Sequence, residues 1–208
     1  MLVGAALKAR EASSAANDAG AAAMRGDATG RIGMGIFLVT DAMGFGAMLV
    51  AYGVLRTRAD AWPDPTDRLS IPLAAAMTLT LLTSSLTALM ALTAARDGRG
   101  GATRGWLAVT IACGLGFLAA QAFEYHHLMT GAIGMGLTTD LFASTFYAVT
   151  GFHGLHVLVG IVIWGVVLAR CVRAAPAPGR IEVAALYWHF VDFAWVPIFT
   201  FLYLLPAR

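Results

Sequence analysis

Charge is what this sequence has least of: Asp, Glu, Lys and Arg make up 12% of its 208 residues. A soluble domain carries about 25%, because polar groups must cover its surface. Half that fraction excludes a water-soluble globule of this size. Cysteine is scarce as well. Cys113 and Cys171 fall within or at the end of different expected helices, so neither a disulfide framework nor a thiolate metal site is expected. The five histidines are too few for the clustered histidine boxes of a membrane di-iron enzyme. No segment alternates in polarity as a membrane β-strand would, and no internal repeat of the transporter kind is visible. The first thirty residues, rich in Ala, Gly, Ser and mixed charge, lack an apolar core of signal-peptide length, so no cleavage is expected. No nucleic-acid partner is expected.

What is present is apolar length. Hydrophobic residues make up 59% of the chain, and the mean hydropathy is +0.73. Leu69 to Ala95 and Leu141 to Ala169 contain no Asp, Glu, Lys or Arg. About 20 apolar residues in a helix span the hydrocarbon core. Three more segments qualify with isolated interruptions: Ile32 to Leu55 with Asp41, Gly105 to Met129 with Glu124, and Glu182 to Leu205 with Asp192. The reading is an all-α polytopic membrane bundle with helices near 32–55, 70–95, 105–129, 142–170 and 182–205, preceded by a flexible cytoplasmic tail over 1–30 that is helical in part at most.

Short connections force antiparallel neighbours. The first carries Trp62-Pro63-Asp64-Pro65, the second Gly100-Gly101, and the fourth Ala174-Ala-Pro-Ala-Pro-Gly179. Lys8, Arg10, Arg25, Arg31, Arg96, Arg99, Arg104, Arg170, Arg173 and Arg180 would lie on one side, against Arg56, Arg58, Arg68 and Arg208 on the other. Positive residues stay cytoplasmic, which puts the N-terminus inside and the C-terminus outside. Small residues such as Gly33, Gly35, Gly44, Gly46, Ser84 and Ser85 suit close helix approach, either within the bundle or against another subunit.

Ionisable groups at membrane depth cost free energy unless paired or hydrated, so each is a candidate site. Asp41, Glu124, His153, His156, His189 and Asp192 are the candidates for buried polar contacts or proton support, with His126 and His127 near a helix end. His153 and His156 are three apart and share a helix face, which raises a metal or bis-histidine haem hypothesis. No carboxylate lies close in sequence to orient them, so buried hydrogen-bonding histidines are the reading. His189 and Asp192, also three apart, can hydrogen-bond within one helix, as can Glu124 and His127. Asp41 has no basic residue within helical reach and is expected to be protonated and to donate across helices. Pro197 should bend the last helix.

Thr150-Gly-Phe-His-Gly-Leu-His-Val157 with Gly160, and Glu182 followed by Tyr187-Trp-His-Phe-Val-Asp192 and Trp195, resemble the signature strings of haem–copper oxidase subunit III. Weaker echoes are Arg31-Ile-Gly-Met34 ahead of Asp41, Trp62-Pro63, Leu82-Thr-Ser-Ser85, Gln121 with Glu124-Tyr125, and Ser144-Thr-Phe-Tyr147. The likeness runs over about residues 31–205. It implies an accessory subunit without a redox centre: haem and copper belong to partner subunits, and no catalytic or metal residue is carried here. Such a subunit packs on oxidase subunit I, beside subunit II, in the bacterial inner membrane, binds phospholipid, and supports proton uptake, assembly and sustained turnover. Arg170 matches a family arginine that meets a lipid phosphate. Long members of the family have seven helices, and this chain resembles their last five. Asp41, where many cytochrome c oxidase members have Glu, and Glu124-Tyr-His-His-Leu128 resemble ubiquinol oxidase subunit III or a nitric oxide reductase accessory protein; Trp62-Pro63 and Gln121 lean to cytochrome c oxidase.

Overall fold

The structure is a computed structural model, which describes residues 2–131 and 134–206, with side chains from residue 28 onward. It is helical throughout: α1 (Leu2–Arg58), a one-turn α2 (Pro65–Arg68), α3 (Ile71–Arg96), α4 (Gly100–Thr130), α5 (Leu141–Arg173), α6 (Pro178–Phe199) and a π-helical turn (Thr200–Leu204). Among the described residues five spans are long and apolar enough to cross a membrane: Ala28–Arg58, Ile71–Arg96, Gly100–Thr130, Leu141–Arg173 and Pro178–Leu204. Each agrees with its sequence-based counterpart to within a few residues. The N-terminal segment differs from expectation, because α1 is continuous from Leu2. Its run of alanines, the best helix formers, favours that extension.

The helix ends follow local chemistry. Asp64 caps α2, its Oδ1 accepting from the Thr66 amide at 2.9 Å, with Pro65 at the first helical position, where its missing N–H costs nothing. Asp140 caps α5 in the same way, accepting from the Ala143 amide at 2.7 Å. The α3–α4 hairpin closes on Gly98 at φ 70°. There the Gly98 amide reaches Ala95 O and the Arg99 amide reaches Ala94 O, at 3.1 and 2.8 Å. This is the paired-bond ending that a left-handed glycine permits after a helix.

Helices α3, α4, α5 and α6 form a ring, each packed on its neighbours, with α1 laid across the α5–α6 groove. The ring's centre is aromatic: Trp164, Trp188, Trp195, Phe117 and Phe146 are fully buried. Lipid tails are as apolar as these side chains, so burial alone does not hold the helices together; close packing and hydrogen bonds do. Both occur at Trp188. A Cβ at Gly160 of α5 would lie 2.5 Å from the indole, and one at Gly114 of α4 would lie 2.9 Å from it. The indole nitrogen donates to Ser84 Oγ of α3 at 2.8 Å. One side chain thus joins four helices. Trp195 repeats the device, donating to Thr78 Oγ1 of α3 at 2.9 Å.

Helix α1 is anchored differently. Phe45 inserts between α5 and α6, with ring centroids 4.9 Å from Phe152, 5.1 Å from His156 and 6.1 Å from Phe190. Tyr52 packs edge-on against Trp62, and Trp62 against Phe142, so the first loop wedges α1 to α5. Four glycines of α1 lie off this contact: Gly33, Gly35, Gly44 and Gly46 have nothing within 4 Å of an added Cβ. The smallness that suggested close packing at these four positions therefore faces outward.

Candidate functional site

The polar groups expected inside the hydrocarbon do meet, across helices rather than along them. Asp41 of α1 lies beside His156 of α5, Oδ1 to Nε2 at 3.1 Å, with each side chain 11% exposed. His156 Nδ1 faces the Phe152 carbonyl at 2.8 Å. A carbonyl only accepts, so Nδ1 carries a proton. The Nε2–Oδ1 contact then needs one further proton, held by either partner, and the pair is neutral overall in both arrangements. Tyr187 of α6 donates to the His156 carbonyl at 3.0 Å, tying the third helix to the same turn.

His189 and Asp192 of α6 do not bond each other directly. Both converge on Ser85 of α3, whose hydroxyl lies 2.6 Å from His189 Nδ1 and hydrogen-bonds Asp192 Oδ2. A hydroxyl supplies one proton and accepts others, so Ser85 passes polarity between a buried carboxyl and an exposed imidazole. The α-helix allowed the intrahelical pair; the serine one helix away outcompetes it by reaching both groups.

Glu124 of α4 is likewise paired away from its expected neighbour. Tyr203, in the π-helical turn, donates to its Oε2 at 2.8 Å. His127 instead lies flat against Phe123 on the exposed face, with ring centroids 6.3 Å apart, and His126 is exposed beside it. Pro197 leaves the Phe193 carbonyl without its helical donor, and the widened turn that follows buries Leu202 and Tyr203. Helix α6 runs on through Pro197 to Phe199, and the π-helical turn begins at Thr200.

His153 is fully buried, and neither ring nitrogen has a hydrogen-bond partner in the protein. Rings surround it: Trp195 at 4.9 Å, Phe117 at 5.6 Å and Phe45 at 6.2 Å. The contacts expected of a hydrogen-bonding histidine are absent there and present at His156. Among the described residues no three His, Cys, Asp or Glu side chains gather as a metal-binding group. Arg170 is exposed at the far end of α5. It lines a small cavity of about 40 Å³ with Arg180 and Cys171.

The two ends of the bundle carry the ion pairs. Glu182 receives Arg31 of α1 at 3.2 Å and Arg96 of α3 at 3.4 Å. At the other end Arg68 pairs with Asp140. Partial burial pushes the Asp140 carboxyl up, but the Arg68 hydrogen bond and charge, with the amides that open α5, outweigh it and hold it below the ordinary carboxylate range.

Sequence reasoning had no signal for Tyr203 as the partner of Glu124, nor for the Gln121 amide bonding the Thr150 carbonyl at 2.7 Å. It had one for Ser85, in the Leu82-Thr-Ser-Ser85 string, as a small residue whose hydroxyl can bond across helices, but assigned it no partner.

These strings and their positions can be compared with known proteins. Residues 1–206 match the family model described as cytochrome c oxidase subunit III. The chain belongs to that family. A Synechocystis protein named cytochrome c oxidase subunit 3 is 38% identical over 182 residues, covering 83% of this chain and 74% of its own length. A Thermostichus vulcanus protein of the same name is 35% identical, covering 84% and 86%. A Pseudomonas putida protein named cytochrome bo(3) ubiquinol oxidase subunit 3 is also 35% identical, covering 84% of each chain. As a subunit III family member with five membrane-capable helices, this is a multi-pass membrane protein of a type found in multi-subunit oxidases.

Proposed function

We propose that this chain is the accessory subunit III of a bacterial terminal oxidase, a complex that reduces oxygen to water and translocates protons. The family match over residues 1–206 carries the reading. The geometry agrees with a supporting part. Its three carboxyls at membrane depth each join helices: Asp41 to His156, Glu124 to Tyr203, and Asp192 to Ser85. Haem and copper would sit in partner subunits, with subunit I the direct neighbour. In the bacterial inner membrane the N-terminus would be cytoplasmic, since the Arg-rich ends of α3, α4 and α5 share its side.

Two contributions follow. Arg170 and Arg180, lining one small cavity, suit a phospholipid phosphate at the cytoplasmic surface. Asp41 and His156, sharing a proton on the edge of the bundle, suit support of proton uptake by the neighbouring subunit. The donor to the complex is cytochrome c on most of the similar proteins' names, and quinol on that of the Pseudomonas putida relative.

The test is oxygen consumption by the oxidase purified with and without this chain. Faster loss of activity during turnover without it is expected; an equal lifetime contradicts the supporting role. Whether the accompanying subunit II carries a copper-binding cysteine pair decides the donor.

A further inference from the structure

Among the described residues, His189 is the one charged or imidazole side chain left exposed at mid-span. Its span runs from Pro178 to Leu204, and it stands about 17 Å along the helix from Pro178. The hydrocarbon core is about 30 Å thick, so His189 is near its centre. An imidazole is too short to reach the interface as Lys or Arg does.

Its hydrogen bonds fix what it presents. Ser85 Oγ lies 2.6 Å from His189 Nδ1 and also hydrogen-bonds Asp192 Oδ2. A net charge at this depth is costly, and so is a buried proton without an acceptor. Two arrangements avoid both. In one, Asp192 donates to Ser85, and Ser85 donates to Nδ1. In the other, Nδ1 donates to Ser85, Ser85 donates to the carboxylate, and an imidazolium balances its charge. A proton on Asp192 Oδ1 fails, because that oxygen is buried with no partner. His189 Nε2 therefore carries a proton in both arrangements, and it points an N–H out of the bundle.

No lipid acceptor is at hand there. Acyl chains have none, water is absent from the core, and ester and phosphate oxygens lie at its edges. The face around the N–H is apolar. Leu186 and Phe193 lie a turn before and after His189, and Leu82 and Leu89 a turn before and after Ser85. All four are exposed, and Phe193, at 73%, is the most exposed large hydrophobic side chain among the described residues.

We infer that this face of α3 and α6 seats a transmembrane helix of another subunit. A hydroxyl, amide or carboxylate oxygen of that helix accepts from His189 Nε2, and its apolar side chains pack on Leu82, Leu89, Leu186 and Phe193. A second copy of this chain on a two-fold axis through the site would set N–H against N–H. The inference rests on the proposed place in a membrane complex and adds the face and the atom where a partner meets this chain.

The test uses intact native membranes, with p-benzoylphenylalanine in place of Phe193 or Leu82 and, separately, of the exposed Met43 of α1. After irradiation the tagged chain is purified and its crosslinked peptides are mapped. The Phe193 and Leu82 probes should label one transmembrane segment of another chain, within a helical turn of an oxygen-bearing polar side chain. His189→Phe should retain about three- to tenfold less of that partner in detergent, the scale of one interhelical hydrogen bond. His189→Gln, which keeps an outward N–H, should recover most of it. Labelling of lipid alone, of a second copy, or of a segment without such a side chain overturns the inference, as does full retention by His189→Phe. The labelling is read with His189 unmodified, so it holds even if the variants fail to fold. Crosslinks to oxidase subunits from Met43 but from neither other probe overturn the inference and leave the functional reading standing. The expected crosslink to a partner from a complex without haem does the reverse.

Discussion

Asp41 Oδ1 and His156 Nε2, 115 residues apart in sequence, stand 3.1 Å apart and share a proton between α1 and α5. The carbonyl of Phe152 holds the other imidazole proton, so one proton bridges the pair. Asp41→Asn keeps a donor for Nε2 but loses the ability to release it. It should leave the chain folded and assembled while slowing oxidase turnover or shortening its lifetime. Asp41→Leu leaves Nε2 buried and unpaired, costing about 1–3 kcal/mol of stability. Turnover and thermal unfolding measured on both variants check this; unchanged turnover in Asp41→Asn reduces the pair to a packing contact.

The Trp188 junction makes a sharper stability prediction. Gly160→Ala puts a carbon 2.5 Å from a ring held on several sides. Overpacking of this kind costs about 1–3 kcal/mol, enough to lower the melting temperature in detergent measurably. Gly44→Ala, with nothing within 4 Å, should leave it unchanged or slightly higher, since alanine favours helix.

Ser85→Ala removes the hydroxyl on which His189 and Asp192 converge. Asp192 Oδ1 already lacks a partner, so the buried carboxyl would lose its last hydrogen bond. A destabilisation of about 1–3 kcal/mol is expected. Combining Ser85→Ala with Asp192→Leu should recover part of it, because removing both partners leaves no orphan. A thermal-melt double-mutant cycle reads the coupling.

The Arg68–Asp140 pair gives a pH dependence. The folded Asp140 carboxyl sits below its ordinary range, so its contribution is complete above the unfolded value of about 4. It fades as the pH falls through the lower, folded value. Both side chains are about one-third exposed, which limits the contribution to about 1 kcal/mol. Asp140→Asn keeps an N-cap but not the charge. Its melting temperature should lie below the parent's at pH 7, and the gap should close toward pH 3.

The five spans were legible in the sequence because lipid imposes one rule over long stretches: about 20 apolar residues per crossing. Asp41, His156, Glu124, Asp192 and His189 were legible as polar groups for the same reason. Their partners were not. His156 reaches Asp41 across 115 residues and Glu124 reaches Tyr203 across 79. Helical spacing alone pointed to His127 and to a direct His189–Asp192 bond. A local pair forms only when no better donor is brought alongside, and the bundle brought Tyr203 and Ser85. The reach of α1 back to Leu2 was hidden by mixed charge, which mutes the hydropathy signal without opposing helix.

As proposed, this chain works as a part of a haem–copper oxidase. Affinity purification of the tagged chain from its native membranes in mild detergent tests it most directly. A haem-bearing oxidase subunit I should come with it, and the preparation should show the reduced-minus-oxidised absorbance of its haems. A colourless chain purified without oxidase subunits would contradict it.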